Sequence, residues 1–216
     1  GVNGLGMDYI VTAVKEREPF VNYLKYHIPE LQVVWDKHKN PMETFMRAWG
    51  EHPNNASLRF QDDVILTKNF LEKVHSVINK YPNDVIQFFS MRKADIEVGS
   101  RWENGGNWIG NLCHYLPEGM PNEIYEFGLS WKGIEENPTA DDLLMRDYFK
   151  ANKIKYFLHC PSLVEHAQVY SVVDRKRSKF RNSKTFVEPD YKMFPIIEDY
   201  VVRMKYLDVD DFKPIE

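Results

Sequence analysis

The chain has little cysteine, no long hydrophobic run and no excess of positive charge, and each shortage excludes a class of protein. Two cysteines in 216 residues, Cys113 and Cys160, make neither a disulfide framework nor a four-cysteine zinc site. Both lie beside apolar residues, where a buried thiol is the default, and the expected compartment is a reducing, cytoplasmic one. No stretch reaches membrane-span length, and no basic flank introduces an apolar run with a cleavage site, so a soluble protein with no membrane partner is expected. A net charge of −4 and a pI near 6.0 argue against extensive wrapping of a nucleic-acid duplex. No internal repeat is visible. Gly1 to Gly6 carry no pattern and precede Met7, and they read as an added leader with the natural start at Met7.

Apolar and aromatic residues are plentiful: the chain is 43% hydrophobic, with 13 Phe, 12 Tyr and 5 Trp, enough to bury one substantial core. Tyr9 to Val14 reads as a buried strand and Glu18 to Tyr26 as a helix, followed by a strand at 31–35. A helix from Pro41 to Trp49 is opened by Asn40 as its cap, and Ser57 to Phe60 returns as a strand. Such alternation predicts a parallel sheet with helices on its faces, where ligands bind at the carboxyl ends of strands. Phe70 to Tyr81 continues as an amphipathic helix and Asp84 to Phe89 as a strand. Residues 92–138 then break the pattern with seven glycines, three prolines and Trp102, Trp108, Tyr115 and Trp131. They read either as long loops shaping an acceptor pocket or as an irregular antiparallel patch packing its own aromatics. A helix over 141–151, capped by Thr139 or the acid after it, and a strand over 155–158 complete the pattern.

Three groups of residues carry chemistry. Gln61-Asp62-Asp63 ends a strand, and paired carboxylates there give Mg²⁺ or Mn²⁺ hard oxygen ligands while leaving positions open for phosphate oxygens. The plainer reading is a turn acceptor or a helix cap. Asp141-Asp142 opens a helix, where its charge suits the dipole and one carboxylate can serve as general base. His166 closes Pro161-Ser162-Leu163-Val164-Glu165-His166, placed to complete a metal site with Asp63; a lone histidine is otherwise a structural residue.

The order of Thr12 to Arg17, Val34-Trp35-Asp36, Leu58 to Val64, Asp141-Asp142 and Pro161 to His166 resembles that of small glycosyltransferases of the GT-A fold. Pro-Ser-Leu-x-x-His is similar to an element of the N-acetylglucosaminyltransferase IV group and of compact phage-encoded transferases. The resemblance spans residues 8–187, taken as one catalytic domain, with 188–216 as a C-terminal extension of helix and tail. It implies a GT-A, Rossmann-like mixed sheet flanked by helices and a reaction that moves a sugar from a nucleotide-sugar, a UDP-sugar by preference, to a hydroxyl. It makes Asp63 the direct metal ligand, His166 the distal one, and Asp62 a contact to the donor ribose or sugar. Ala13, Arg17 and Asp36 would border the nucleotide, and Asp142, less favourably Asp141, would be the base. Gln61 departs from the pattern, since an acid is common there and an amide does not ligate as an anion.

The run from Asp174 to Lys184 is locally basic, and Arg175 and Arg177 would close on the donor diphosphate or on nucleic-acid phosphates; a solvated loop is the plainer reading. The likeness to phage enzymes implies a hydroxymethylated pyrimidine in DNA as acceptor, in a host cytoplasm, with Trp102, Trp108 and Trp131 receiving the base. Glycan and small-molecule acceptors, metal-dependent phosphoryl hydrolysis or nucleotidyl transfer, and a non-catalytic nucleotide- or nucleic-acid-binding module stand beside it.

Overall fold

The computed structural model describes residues 6–167 and 182–196. Its elements are β1 (Asp8–Ala13), α1 (Glu18–His27), β2 (Leu31–Trp35), α2 (Pro41–Glu51), β3 (Ser57–Gln61), β4 (Val64–Leu66) and α3 (Phe70–Lys80). Then come β5 (Val85–Gln87), α4 (Ala94–Val98), β6 (Arg101–Asn104), β7 (Cys113–Leu116), α5 (Met120–Gly128), α6 (Asp141–Ala151), β8 (Lys155–Leu158) and β9 (Val164–His166). Seven strands form one sheet in the order β2-β1-β3-β7-β5-β8-β6, and β4 pairs with β9 in a second, two-stranded sheet.

The fold is α/β with a mixed sheet flanked by helices, as the alternation of elements and the resemblance led us to expect. β1, β2 and β3 are parallel, and so are β5 and β8. The wholly parallel sheet suggested by the first half of the chain is corrected by β7, which enters between β3 and β5 antiparallel to both. Its residues Cys113 to Leu116 are all buried, His114 among them, so it shows no alternation of buried and exposed positions. Residues 92–138 are accordingly not a set of long loops: they hold α4, β6, β7 and α5.

The two faces of the sheet are covered by different helices. Tyr23 and Leu24 of α1 and Phe70, Val74 and Ile78 of α3 share a core with Tyr9 and Val11 of β1. Met42 and Trp49 of α2, Ile124 of α5 and Leu144, Met145 and Phe149 of α6 share another with Trp108 and Tyr156. α2 starts as its sequence demands: Asn40 Oδ1 accepts from the backbone N–H of Glu43 at 3.2 Å, and Pro41 occupies the first turn. α6 starts differently from expectation. Ala140 precedes it without a side-chain cap, and Asp141 and Asp142 supply the first turn.

This topology creates a crevice. From β1 the chain crosses through α1 to β2 on one side, then through α2 to β3 on the other, so β1 and β3 are neighbours at the point where strand order reverses. In open α/β sheets, ligands bind beyond the carboxyl ends of strands at such a switch point.

The returning segment packs on the second sheet. Asp190 donates its backbone N–H to Leu66 O at 2.8 Å, Pro189 bridges Thr67, and Phe194 packs edge-on against Phe20 and Tyr23. The carbonyls of Val187 and Glu188 accept from Thr67 Oγ1 and the Lys68 N–H on the same edge. Among the described residues no helix is long and apolar enough to cross a membrane. Cys113 and Cys160 are both free thiols.

Candidate functional site

Asp62 and Asp63 occupy the bend between β3 and β4, at the mouth of the crevice. Asp62 spans the switch point. Its Oδ2 accepts from the backbone N–H of Val14, just beyond β1, at 3.0 Å, and its Oδ1 accepts from Arg17 Nη1 at 2.8 Å. Arg17 ends the 3₁₀ turn Lys15–Arg17 and has a buried side chain. Burial pushes Asp62 above the ordinary carboxylate range; Arg17 opposes this, and Asp63 adds to it.

Asp63 faces the second sheet. Its Oδ2 lies 3.6 Å from Arg17 Nη1 and 3.3 Å from His166 Nδ1. The β4–β9 ladder sets that approach, because Val64 pairs with His166 and the backbone N–H of Ala167 donates to Asp63 O at 2.9 Å. Phe89 packs edge-on against the imidazole, and Glu165 accepts from the backbone N–H groups of His166 and Ser183, fixing the chain on either side.

On the nucleotide side predicted from sequence, Ala13 and Asp36 meet: the Asp36 N–H donates to Ala13 O at 2.8 Å. Asp36 Oδ1 accepts from the Asn40 N–H and from Thr44 Oγ1, which aligns it with the start of α2. Lys15 Nζ lies 4.0 Å over the Trp35 ring, a cationic neighbour that the sequence reading missed.

The second acid pair begins α6. Asp142 Oδ2 accepts from the backbone N–H of Gly110 at 3.0 Å, and Asp141 Oδ2 accepts from Asn111 Nδ2 at 2.8 Å. Asn111 is oriented in turn by Trp108, whose Nε1–H donates to its Oδ1 at 2.8 Å. Gln87 holds the same loop by donating to the carbonyls of Ile109 and Gly110. Burial, reinforced by Asp142, pushes Asp141 up to about 7. Asn111 and Gly110 were not among the residues singled out, since nothing in a Gly-rich stretch distinguishes the asparagine that meets an acid.

A cavity of about 30 Å³ is lined by Asp141 and by Gln61, the residue before Asp62. Its polar wall is Thr12, Arg59, Gln61, Asn111, His114 and Asp141, facing Phe45, Ala48 and Trp49. Arg59 and His114 were also missed, although a charged residue within an apolar strand was a usable signal for Arg59.

The three tryptophans proposed for the acceptor do not converge. Trp108 is 1% exposed and packs on Phe149 and Tyr156. Trp131 is buried with its Nε1–H donating to Asp147 Oδ2. Trp102 is 46% exposed, but it sits on β6, at the opposite edge of the sheet from β1 and β3, against Tyr81 and Phe157. The aromatic content of this stretch serves the core, so the plainer sequence reading describes it. Arg175 and Arg177 lie outside the described residues.

Among the described residues no three His, Cys, Asp or Glu side chains converge as a complete metal site. Asp63 and His166 nevertheless offer one carboxylate oxygen and one ring nitrogen at 3.3 Å. That donor set fits a divalent cation whose remaining positions are filled by phosphate oxygens and water, the habit of Mg²⁺ and its relatives.

No protein-family model and no curated protein matches the chain. Among solved structures the chain is similar to A197 from STIV, with 13% identity over 74% of this chain and 84% of that one at a TM-score of 0.45. It is also similar to UDP-glucose pyrophosphorylase complexed with UDP-glucose, with 10% identity over 70% of this chain and 72% of that one at a TM-score of 0.43. Likeness of this degree bears on neither substrate nor reaction, which are read from the site.

Proposed function

We propose that the chain is a metal-dependent glycosyltransferase that moves a sugar from a nucleotide-sugar to a hydroxyl acceptor. The observation that carries this reading is the convergence of Arg17, Asp62, Asp63 and His166 at the strand switch point, with Asp141 lining a cavity that reaches Gln61, the residue before Asp62. Arg17, next to Asp62, offers positive charge to a diphosphate, and Asp36 and Ala13 border the nucleoside. Asp63 and His166 would hold Mn²⁺ or Mg²⁺, which when bound offsets the charge developing on the leaving diphosphate. Asp142 is the preferred base. It keeps one oxygen on Gly110 N–H, and it is less enclosed than Asp141, so it takes the acceptor proton as the hydroxyl attacks the anomeric carbon. Asp141, fixed by Asn111, holds the sugar side of the site. The finer acceptor reading, a hydroxymethylated pyrimidine in DNA, rests on the basic strip around Arg175 and Arg177 and is tested by salt-dependent DNA retention.

Calorimetry with UDP, GDP and CMP, each with Mn²⁺ and with EDTA, tests the core of the proposal. One nucleotide binds selectively and only with metal, and Asp63→Ala or His166→Ala weakens it at least about tenfold. Asp142→Asn keeps the binding and slows transfer by about 10²- to 10⁴-fold. Tight Mn²⁺-dependent binding by both alanine variants would overturn the metal assignment. Products separate the neighbouring chemistries: sugar on an acceptor marks the transferase, and nucleoside monophosphate with sugar phosphate marks a hydrolase.

A further inference from the structure

The wall of the cavity between the sheet and α2 carries a positive charge with no carboxylate in ion-pair contact among the described residues, Asp8 acting on it only from longer range. Arg59 is 4% exposed, and among the described residues it makes no ion pair. It donates to Ser57 Oγ, Ala48 O and His52 O at 2.8–2.9 Å, three of the five N–H bonds that a guanidinium offers. The carbonyls of Ala48 and His52 end α2, so the helix dipole stabilises the charge without neutralising it. Beside it in the β3–β7 ladder stands His114, 4% exposed, with neither ring nitrogen hydrogen-bonded among the described residues. Burial and then the Arg59 charge push His114 down to about 3, against a smaller pull from the Asn111 backbone, so the ring is neutral and offers one N–H.

Asp141 shares the cavity but does not supply the missing charge. Asn111 donates to its carboxylate at 2.8 Å, and Asp141 makes no ion pair with Arg59 among the described residues. The lining is graded in exposure: Thr12 and Gln61 are half-buried and Asp141 is 8% exposed, whereas the cationic and N–H donors Arg59 and His114 are each 4% exposed. Its volume of about 30 Å³ admits a group of two or three heavy atoms. A hydroxyl would satisfy one donor and leave the charge uncompensated, whereas a carboxylate meets the spare Arg59 N–H bonds and the His114 N–H together.

Resting on the nucleotide-sugar reading above, we infer that the cavity is a subsite for the carboxylate of a sugar acid, so that the donor is a nucleotide-linked uronate rather than a neutral hexose. The sugar hydroxyls face Gln61, Thr12 and Asp141, and the carboxylate reaches Arg59 and His114.

Two measurements test this separately from the nucleotide reading. In ¹⁵N-histidine-labelled protein without nucleotide, acetate shifts the His114 ring resonances saturably, and glycerol, a neutral control, leaves them in place. No acetate shift, or an equal shift with glycerol, overturns the subsite. With Mn²⁺, UDP-glucuronate binds at least about tenfold more tightly than UDP-glucose, a ratio worth about 1.4 kcal/mol. His114→Leu, which removes the unpaired nitrogens and keeps the fold by circular dichroism, brings that ratio close to one. Equal affinity for the two donors in the unaltered protein, with UDP itself bound, sinks the uronate assignment and leaves the transferase reading standing. An acetate shift with no nucleotide bound under any condition leaves the carboxylate subsite standing and sinks the nucleotide-sugar reading, and the nucleotide-linked donor with it.

Discussion

At the scale of single residues, the site uses the same side-chain type in four different states. Asp62 is a structural latch with both oxygens engaged by Arg17 and Val14, whereas Asp63 is turned towards His166. Asp142 faces Gly110 N–H, and Asp141 is enclosed, with burial pushing it up to about 7 from an ordinary 3.8. A raised acid binds its proton more tightly in the folded state, so stability is fullest below about pH 4 for this group and is lost as pH rises towards 7. Asp141→Asn keeps an oxygen for Asn111 and carries no charge, so it removes that loss. The variant is expected to be more stable than the parent at pH 8, by at most about 4 kcal/mol, and equal to it at pH 4. Urea unfolding at the two pH values measures the difference. Equal stability at pH 8 would show that Asp141 titrates normally.

At the scale of elements, legibility depended on periodicity. The strands at 31–35 and 155–158 and the helix at 141–151 occupy the residues read from sequence, because each carries a sustained run of apolar positions. β4 and β9 were not separated as strands, since three-residue strands have too few positions to show alternation. Their pairing is what brings Asp63 to His166, so the approach of these two residues depends on a tertiary contact that no local pattern displays. The tryptophans illustrate the converse: composition reveals an aromatic-rich stretch but not which way each ring points. The loop between β6 and β7 shows how closely such elements are fitted. Gly105 opens that loop, and a Cβ there would collide with Ile154 O and with Phe149 Cβ. Neither backbone nor a buried ring can yield cheaply, so Gly105→Ala is expected to destabilise by about 1–3 kcal/mol. Because this loop carries Gly110 and Asn111 to the acid pair, the variant should also lose the proposed transfer activity at temperatures where it remains folded. Unchanged stability would mean that the loop and α6 shift freely together.

At the scale of the whole molecule, residues from distant parts of the chain meet at the switch point: Arg17 follows β1, Asp62 and Asp63 follow β3, and His166 ends β9, while Asp141 begins α6 on the wall of the cavity that Gln61 also lines. A ligand that touches all of them ties together segments whose contacts otherwise run through separate cores, one under α1 and α3 and one under α2, α5 and α6. Binding to the folded state alone stabilises by RT ln(1 + [L]/Kd), about 2.7 kcal/mol at a ligand concentration one hundred times Kd. For a chain of 216 residues each kcal/mol raises Tm by about 2–4 °C, so the bound nucleotide with Mn²⁺ is expected to raise Tm by about 5–10 °C. The rise should disappear with EDTA, which removes the cation, and in Asp63→Ala, which removes its proposed ligand, yet persist in Asp142→Asn, which alters only the proposed base. Thermal unfolding by circular dichroism reads this without requiring the acceptor. A shift that survives EDTA unchanged would place the nucleotide on Arg17 and the backbone alone and make the His166–Asp63 approach a structural contact.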